Sequence, residues 1–443
     1  MFKYAIKGSA NFFDRLMRRY TPDPFILALA LSAIIFVTGV MLTGTSPKQM
    51  VKYWGDGFWK LIPFTMQMAM VFLGGYVLAA TPLVNGLLNG IANRVKTPGQ
   101  AVVITSLVAC IGCWLNWGFG LVIGGLLCRA LGKTVPNVNF RLLVASAYSG
   151  FLVWHGGLSG SIPLTIATPG NFSEATIGRL IPVQETIFSN YNLLASILLL
   201  ILLPLVNWLV GTNETQSYTT EIKEEDLHEI AEPKNARVPA DYLENSKLIC
   251  LLGGGAGLVY IAFELMDGTF RLQLNILNFM FLFLGLFLHK SPKTFVKAVE
   301  KGAGGVGAIL LQFPFYAGIM GMMQGSGLAE IIASAYVQIA TAQNFDVLTF
   351  YTSGLLNLFI PSGGGQWAVQ APVVIKASQE LGIDIAKTAM AVAWGDAWTN
   401  MIQPFWALPL LAIAGLKLRD IMGYCVMALF VSGIVLSAIF YIF

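Results

Sequence analysis

One acidic residue stands alone in a long apolar stretch near the end of this chain. Asp396 lies in the sequence AWGDAWTN, and Thr399, Asn400 and Gln403 follow within two helical turns. A charged side chain at membrane depth is costly and is by default a functional candidate. We expect Asp396, together with Thr399 and with His155 from an earlier apolar stretch, to carry a proton or another coupling cation. The alternatives are a carboxyl group paired inside a helix bundle and, for His155, a hydrogen-bonded core histidine.

Two glycine-rich segments interrupt other apolar stretches. One is residues 116–120 (NWGFG) within 99–130, and the other is residues 361–367 (PSGGGQW) within 346–378. Each glycine destabilises a helix by about 1 kcal/mol relative to alanine, and irregular backbone at membrane depth is tolerated only where it is buried or lines a cavity. Free backbone N–H groups at such a break can bind an anion; the alternative is a flexible loop or a helix-packing patch. The predicted substrate-binding residues of these segments are Asn116, Gly118, Ser362, Gly363, Gly364 and Trp367.

A second break follows each glycine-rich segment. Residues 155–171 (HGGLSGSIPLTIATPGN) form the first, and residues 396–404 (DAWTNMIQP) form the second. Hydroxyl and amide side chains beside unwound backbone suit a carboxylate, whereas the alternative is hydroxyls bonded back to their own helices and proline kinks. The predicted substrate-binding residues here are Ser159, Ser161, Thr165, Asn400 and Gln403. Tryptophans crowd the same segments and would line a slot for a short acyl chain, unless they serve as interfacial anchors.

The composition excludes most soluble classes of protein. Of the 443 residues, 56% are hydrophobic and 11% are charged, where soluble domains have about 25% charged residues. The mean hydropathy is +0.69, and the chain is long enough for roughly ten spans of about 20 residues. The net charge of +4 comes from short basic clusters between apolar runs, which is typical of cytoplasmic loops and not of nucleic-acid binding. We predict an all-α polytopic membrane protein.

The cysteines give no sign of catalysis or of a metal site. Cys110 and Cys113 form a CxxC pair without a second such pair or a nearby histidine, so we interpret them as small apolar residues in a helix. We predict no catalytic residue, no metal and no cofactor beyond H⁺ or Na⁺ as the coupling ion. A membrane enzyme that uses His155, Asp396 or the CxxC pair stays as an alternative.

The chain divides into two halves that resemble each other. An offset of 246 residues relates Pro163 to Pro409 and Asn116 to Ser362. Internal repeats in a polytopic protein indicate a transporter, because two related halves can alternate access to one site. The predicted units are an amphipathic cytoplasmic helix (1–24), a first membrane repeat (25–210), a polar cytoplasmic linker (211–246), a connecting helix (247–273) and a second membrane repeat (274–443).

The loop charges predict an inverted topology. If 99–130 and 346–378 are re-entrant hairpins and the N-terminus is inside, most short basic loops fall on the cytoplasmic side, as the positive-inside rule requires. The connecting helix then inverts the second repeat and places the C-terminus outside. We predict two inverted repeats, each with a re-entrant hairpin and a broken helix.

Several long motifs in order give the chain a family resemblance. They are MVKYWGDGFWKL (50–61), NWGFGLVIG (116–124), GLSGSIPL (157–164), LLQFPFYAGI (310–319), PSGGGQW (361–367) and QPFWALPLLAIAGL (403–416). On these motifs the chain resembles the bacterial short-chain fatty acid transporter family over essentially its whole length. The resemblance implies an inner-membrane permease for small carboxylates such as acetoacetate and butyrate. It also implies the ion-transporter superfamily, with an elevator-like architecture and a homodimer.

The resemblance predicts a symporter that moves a short-chain monocarboxylate across the lipid bilayer with H⁺ or Na⁺. At the hairpin tips, Asn116-Trp117-Gly118 and Ser362-Gly363-Gly364 depart from the Ser-Asn-Thr often found in the superfamily, which weakens the case for sodium. The alternatives are a transporter of another small organic anion, such as a dicarboxylate, and a passive channel. The lack of Arg or Lys near the breaks favours one carboxylate over two.

Overall fold

The computed structural model describes residues 24–210, 238–403 and 406–443, and every regular element in these ranges is helical. The predicted helix at 1–24 and most of the predicted linker at 211–246 lie outside the described residues. The first half contains α1 (Pro24–Thr43), α2 (Pro47–Gly57), α3 (Ile62–Ala79), α4 (Pro82–Arg94), α5 (Pro98–Leu115), α6 (Trp117–Thr134), α7 (Phe140–Ser149), a 3₁₀ helix (Gly150–Gly156), α8 (Ser161–Ala167), α9 (Glu174–Ile177) and α10 (Asn190–Val210).

The second half follows a short helix and a long apolar one. The elements are α11 (Pro239–Glu244), α12 (Lys247–Met266), α13 (Leu274–Leu288), α14 (Pro292–Ala303), α15 (Gly307–Ser326), α16 (Leu328–Ile339), α17 (Phe345–Asn357), α18 (Gly363–Leu381), α19 (Ile385–Thr399), α20 (Ala407–Ala414), a 3₁₀ helix (Leu418–Asp420) and α21 (Met422–Ile442).

Several of these helices can cross a membrane by length and composition. Among the described residues, α1, α3, α5, α10, α12 and α21 are long and apolar enough, and α14 and α15 form a pair bent by 48° that also qualifies when taken together. These helices confirm the prediction of an all-α multi-pass membrane protein. Helix α12 lies within the stretch 247–273 that was predicted as a connecting helix.

The helix order of the first half recurs in the second. Shifted by 246 residues, α1 to α6 fall on α13 to α18, α7 with its 3₁₀ helix falls on α19, and α8 falls on α20. Helices α6 and α18 begin at Trp117 and Gly363, which differ by the full offset of 246 residues. The same holds for α8 and α20, which begin at Ser161 and Ala407. The offset found in the sequence is therefore an offset between helix boundaries.

The two halves interlock. Helix α1 packs against α15 of the second half and α13 packs against α3 of the first; in the same way α20 packs against α6 and α8 against α18. Small residues allow close approach, since a Cβ atom on Gly57 of α2 would lie 2.8 Å from the Ala317 carbonyl oxygen of α15. Through these contacts, the helix breaks of the two halves lie close to each other.

The glycine-rich segments differ from expectation in where the helices break. Asn116 alone separates α5 from α6, whereas residues 358–362 separate α17 from α18. The three consecutive glycines at 363–365 are the first turn of α18, so the expectation that they unwind the helix is wrong. They permit close packing instead, because a Cβ atom on Gly364 would overlap the ring of Phe64 and one on Gly365 the ring of Tyr316.

Four short helices, α2, α4, α14 and α16, were not predicted from the apolar pattern. Three of them begin with a hydroxyl N-cap followed by proline: Ser46-Pro47, Thr81-Pro82 and Ser291-Pro292. The side-chain hydroxyl of an N-cap serine or threonine accepts a hydrogen bond from a backbone N–H of the first turn. Proline at the next position has no N–H that would need a partner, so the two residues together strongly favour the start of a helix. That signal would have found three of the four.

Candidate functional site

A small cavity lies where the breaks of the two halves meet. Apolar side chains of Met68, Phe151, Ile309 and Phe313 form part of its lining, and none of the described residues that line it is charged. Its volume is about 20 Å³, which is room for about one water molecule. A larger ligand therefore needs the surrounding side chains or helices to move.

The N-terminus of α18 forms one wall of this cavity. Ser362 is the N-cap, and its Oγ atom accepts a hydrogen bond from the Gly365 N–H (3.4 Å). Gly363 and Gly364 follow in the first turn and line the cavity, where a helix has free N–H groups and the positive end of its dipole. A Cβ atom on Gly363 would overlap the ring of His155. The glycine thus lets the helix terminus lie directly against this histidine.

Asn116 occupies the corresponding N-cap of α6, but its side chain is already engaged. Its Oδ1 atom accepts a hydrogen bond from the Phe119 N–H (2.9 Å), and its Nδ2 atom donates to the Val71 carbonyl of α3 (3.1 Å). The Ser159 hydroxyl accepts a hydrogen bond from the Trp117 N–H (2.9 Å). Asn116 and Ser159 therefore hold the break between α5 and α6 in place and do not line the cavity.

His155 and Asp396 form a buried pair between the two halves. The Nδ1 atom of His155 lies 3.0 Å from Oδ2 of Asp396, and the two side chains are 0% and 1% exposed. On the other side of the ring, Nε2 accepts a hydrogen bond from the Ile162 N–H (3.2 Å) and lies 3.0 Å from Oγ of Ser161. Because a backbone N–H can only donate, Nε2 carries no proton, and the ring proton is on Nδ1, directed at the carboxylate.

The second carboxylate oxygen of Asp396 is buried near the Asn400 side chain. Within the described part of the chain, its Oδ1 atom makes no hydrogen bond, and neither does Nδ2 of Asn400 four residues further on. The amide of Asn357, at the end of α17, donates to the Asp396 carbonyl (2.9 Å), to Oγ1 of Thr399 (2.9 Å) and to Oδ1 of Asn400 (3.1 Å). Buried polar atoms are normally paired, so Oδ1 is a candidate site for a proton or a cation.

Asn357 was missed in the sequence, and the signal for it is a lone amide in the apolar stretch LLNLFI (355–360). The predicted residue Thr399 also takes part in this network, because its hydroxyl donates to the Gly354 carbonyl (2.8 Å). The network fixes the end of α19 beside the end of α17. This network holds the backbone around Asp396 in place near the end of α19, although the Asp396 side chain itself has few partners.

The structure brings four of the predicted substrate-binding residues to the cavity: Ser161, Ser362, Gly363 and Gly364. The others lie elsewhere. Gly118 packs against α3, where its Cβ would lie 3.0 Å from the Phe72 carbonyl oxygen. The Thr165 hydroxyl donates to the Ser161 carbonyl (2.5 Å), and the Trp367 indole donates to Ser173 (3.1 Å).

The two predicted residues in the second break, Asn400 and Gln403, lie behind the cavity. Their backbone carbonyls both accept from the hydroxyl of Tyr148, at 2.8 and 3.3 Å. Neither residue lines the cavity. Their observed contacts tie the second break to α7 of the first half.

Three tryptophans, Trp117, Trp154 and Trp406, line the cavity. The Trp406 indole donates to the Pro361 carbonyl (2.7 Å) and joins the second break to the start of α18. The indole N–H groups of Trp117 and Trp154 make no hydrogen bond within the described residues, although these residues are only 3% and 4% exposed. An unpaired buried donor costs about 1–3 kcal/mol, so these two groups need an explanation.

Another buried carboxylate of the described chain has ordinary structural partners. Asp346, the second buried carboxylate, pairs with the Lys387 ammonium (2.9 Å) and accepts from the Thr388 hydroxyl (3.2 Å). The cysteines are buried and free. Within the residues that the structure describes, no group of three or more His, Cys, Asp or Glu side chains is placed to hold a metal ion.

Comparison with known proteins gives a family and a fold. The family described as "Short chain fatty acid transporter" matches residues 5–443. A protein of Escherichia coli (strain K12) named "Putative short-chain fatty acid transporter" is 43% identical over 429 residues, which cover 96% of this chain and 97% of that protein. A protein of Haemophilus influenzae with the same name is 39% identical over 432 residues, which cover 96% of this chain and 97% of that protein.

A solved structure shares the fold. The YdaH transporter of Alcanivorax borkumensis, whose crystal structure is described as having an unusual topology, superposes with a TM-score of 0.57. The match covers 94% of this chain and 98% of that chain at 13% sequence identity. At this identity the likeness concerns the fold alone.

Proposed function

The chain belongs to the short-chain fatty acid transporter family, and we propose that it carries a short-chain monocarboxylate, such as acetoacetate or butyrate, across the membrane together with a proton. The observation that carries this proposal is the position of the buried His155–Asp396 pair directly behind the cavity wall. Gly363 of that wall lies against the ring of His155, and Asp396 lies on the far side of the ring.

The lining of the cavity supports a substrate with a single carboxylate. Ser362 and the first turn of α18 offer neutral donors and the positive end of a helix dipole. Apolar side chains such as Phe313 and Ile309 complete the lining and suit a short acyl chain. The second charge of a dicarboxylate would meet no cation among these residues, and an uncompensated buried charge is strongly disfavoured.

The Oδ1 atom of Asp396 supports coupling to a proton. An ionised Asp396 and a bound carboxylate would repel each other, because the medium between them is apolar and screens charge poorly. A proton on Oδ1 removes that repulsion, so the substrate favours the protonated residue and the proton favours substrate binding to the same extent. Mutual preference of this kind is the thermodynamic basis of symport.

The repeated helix order supports alternating access. Two halves with matching boundaries and interlocked helices can exchange roles around one central site. We propose that the repeats are inverted, that the glycine-rich segments are re-entrant hairpins, and that the protein works as an elevator-like homodimer in the bacterial inner membrane. The elevator-like mechanism and the homodimer rest on the family resemblance.

Other functions stay as alternatives with distinct signatures. A sodium-coupled transporter would hold Na⁺ at Oδ1 of Asp396 with nearby carbonyl oxygens, and uptake would then require Na⁺. A transporter of another small anion would prefer that anion in competition with butyrate. A passive channel would not concentrate its substrate, and a membrane enzyme would convert it.

Transport by purified protein in liposomes tests the proposal. Uptake of radiolabelled butyrate and acetoacetate should be saturable, exchange with unlabelled acid on the other side, and accumulate under an inside-alkaline pH gradient without Na⁺. Protein-free liposomes give the baseline, because the neutral acids cross lipid unaided. Accumulation that follows a Na⁺ gradient and ignores the pH gradient would contradict proton coupling, and the absence of any saturable uptake would contradict the substrate class.

A further inference from the structure

We propose that the indole N–H groups of Trp117 and Trp154 bind the carboxylate of the substrate, an inference that rests on the proposed transport of a monocarboxylate. Both tryptophans line the central cavity, both are more than nine-tenths buried, and neither indole N–H has a hydrogen-bond partner among the described residues. Buried donors are normally paired. A ligand that accepts two hydrogen bonds at this place would satisfy both donors.

The other tryptophans near the breaks make the contrast clear. The indole N–H of Trp394 donates to Asn192 (2.8 Å), that of Trp398 to the Leu429 carbonyl (2.8 Å) and that of Trp406 to the Pro361 carbonyl (2.7 Å). The fold therefore provides an acceptor for these indoles, of which Trp394 is fully buried. The two without one are both in the wall of the cavity.

The rings that carry the two donors are held by aromatic packing. Trp117 stacks on Phe72 with ring centroids 5.4 Å apart and meets Trp406 edge-on at 4.8 Å. Trp154 lies between Phe151, at 5.5 Å, and His155, at 4.0 Å, with nearly parallel rings. Donors fixed before the ligand arrives lose little entropy on binding.

The two rings are close enough to act on one carboxylate. Their centroids lie 6.2 Å apart, at an interplanar angle of 65°. Neutral donors bind an ionised acceptor more strongly than a neutral one, and a pair of indoles adds no net charge to an apolar wall. The site therefore selects a single carboxylate over both the corresponding amide and a dicarboxylate.

The same geometry joins the carboxylate site to the proton site. Trp154 stacks on His155, whose Nδ1–H faces Asp396. A carboxylate held by the Trp154 indole would thus bind the ring that stacks on the hydrogen-bond partner of Asp396. This arrangement places substrate and proton near enough to influence each other.

Replacement of each tryptophan by phenylalanine tests the proposal, since it removes the N–H and keeps an aromatic ring. Trp117→Phe and Trp154→Phe should each weaken equilibrium binding of radiolabelled butyrate to the purified protein about tenfold, the effect of losing one hydrogen bond to a charged group. Trp398→Phe is the matched control, because it removes an indole N–H that donates elsewhere. Wild-type affinity in both cavity variants would overturn the assignment.

A measurement on the unaltered protein keeps the test valid if the variants do not fold. In protein labelled with ¹⁵N-tryptophan, saturation with butyrate should move two indole proton resonances downfield, and butyramide should not. The contrary result is a protein preparation that exchanges butyrate in liposomes while butyrate leaves its indole resonances unshifted. That result would overturn the role of the indoles and leave the proposed function intact. Failure of the wild-type protein to exchange butyrate would instead contradict the proposed function.

Discussion

The Nδ1 atom of His155 lies 3.0 Å from Oδ2 of Asp396, and this contact joins the broken helix of the first half to that of the second. The Nε2 atom of the same ring accepts a hydrogen bond from the Ile162 N–H. The Oδ1 atom of Asp396 makes no hydrogen bond within the described residues. The histidine therefore orients the carboxylate, and we propose that the carboxylate is the group that exchanges a proton.

The inverted topology predicts opposite accessibility for two lysines that lie near corresponding helix starts of the two repeats. Lys48, at the start of α2, and Lys290, just before α14, are both exposed in the fold. The five natural cysteines are buried and give little background labelling. In intact cells, Lys48→Cys should react with a membrane-impermeant thiol reagent and Lys290→Cys should not, until the cells are opened. Equal reaction at both sites would contradict the inversion of the repeats.

The contact between α18 and His155 predicts that Gly363 tolerates no side chain. In Gly363→Ala the new methyl group would overlap the histidine ring and lie 2.7 Å from Oγ of Ser161. We expect a loss of stability of about 1–3 kcal/mol from overpacking and a loss of most butyrate exchange. Gly90→Ala on α4, where no atom lies within 4 Å of the added Cβ, is the control. Butyrate exchange at the wild-type rate by Gly363→Ala would show that transport does not require the close contact between the N-terminus of α18 and His155.

The two N-caps predict different phenotypes for Ser362→Ala and Asn116→Ala. Both changes remove a cap, which costs about 0.5–2 kcal/mol, and Asn116→Ala also leaves the Val71 carbonyl without its donor. Ser362 lines the cavity, so its loss should weaken butyrate binding about tenfold. Thermal unfolding and equilibrium binding on the same preparations check this. A larger loss of butyrate affinity in Asn116→Ala than in Ser362→Ala would indicate that Asn116 contacts the substrate after all.

The apolar lining predicts the chain length of the preferred acid. Phe313 lines the cavity and stacks on Phe64 with ring centroids 5.6 Å apart. Phe313→Ala should improve competition by hexanoate relative to butyrate about tenfold, since each buried CH₂ is worth about 0.8 kcal/mol. Phe279→Ala, whose ring packs between α12 and α13, should leave the ratio unchanged. An unchanged ratio in Phe313→Ala would place the acyl chain elsewhere.

Local patterns were enough to predict the long apolar helices and the repeat offset, but not where the helices break at the glycine-rich segments. Hydropathy, glycine and proline act over a few residues, so α10, α12 and α21 coincide with apolar stretches read from the sequence. Contacts between distant segments were not predictable in the same way. His155 and Asp396 are 241 positions apart, and each was chosen only because a polar group at membrane depth is unusual.

The role of individual side chains depended on partners that the sequence does not show. Asn116 looked like a free donor at a hairpin tip, but the Val71 carbonyl of α3 takes its amide. The indoles of Trp117 and Trp154 looked like apolar lining, and only the absence of an acceptor in the described fold shows that their N–H groups are unpaired. Hydrogen-bond satisfaction is a property of the packed structure, so no spacing rule could have separated these cases.

The most direct measurement of the central claim is the rate of butyrate uptake by Asp396→Asn in liposomes under an inside-alkaline pH gradient. Asparagine keeps an oxygen for the His155 N–H but cannot gain or lose a proton. Asp346→Asn is the control, because that buried carboxylate pairs with Lys387 away from the cavity. We predict that Asp396→Asn exchanges butyrate across the membrane yet, under the gradient, takes it up no faster than protein-free liposomes do, while Asp346→Asn takes it up as fast as the wild type. Gradient-driven uptake by Asp396→Asn at the wild-type rate would contradict the account.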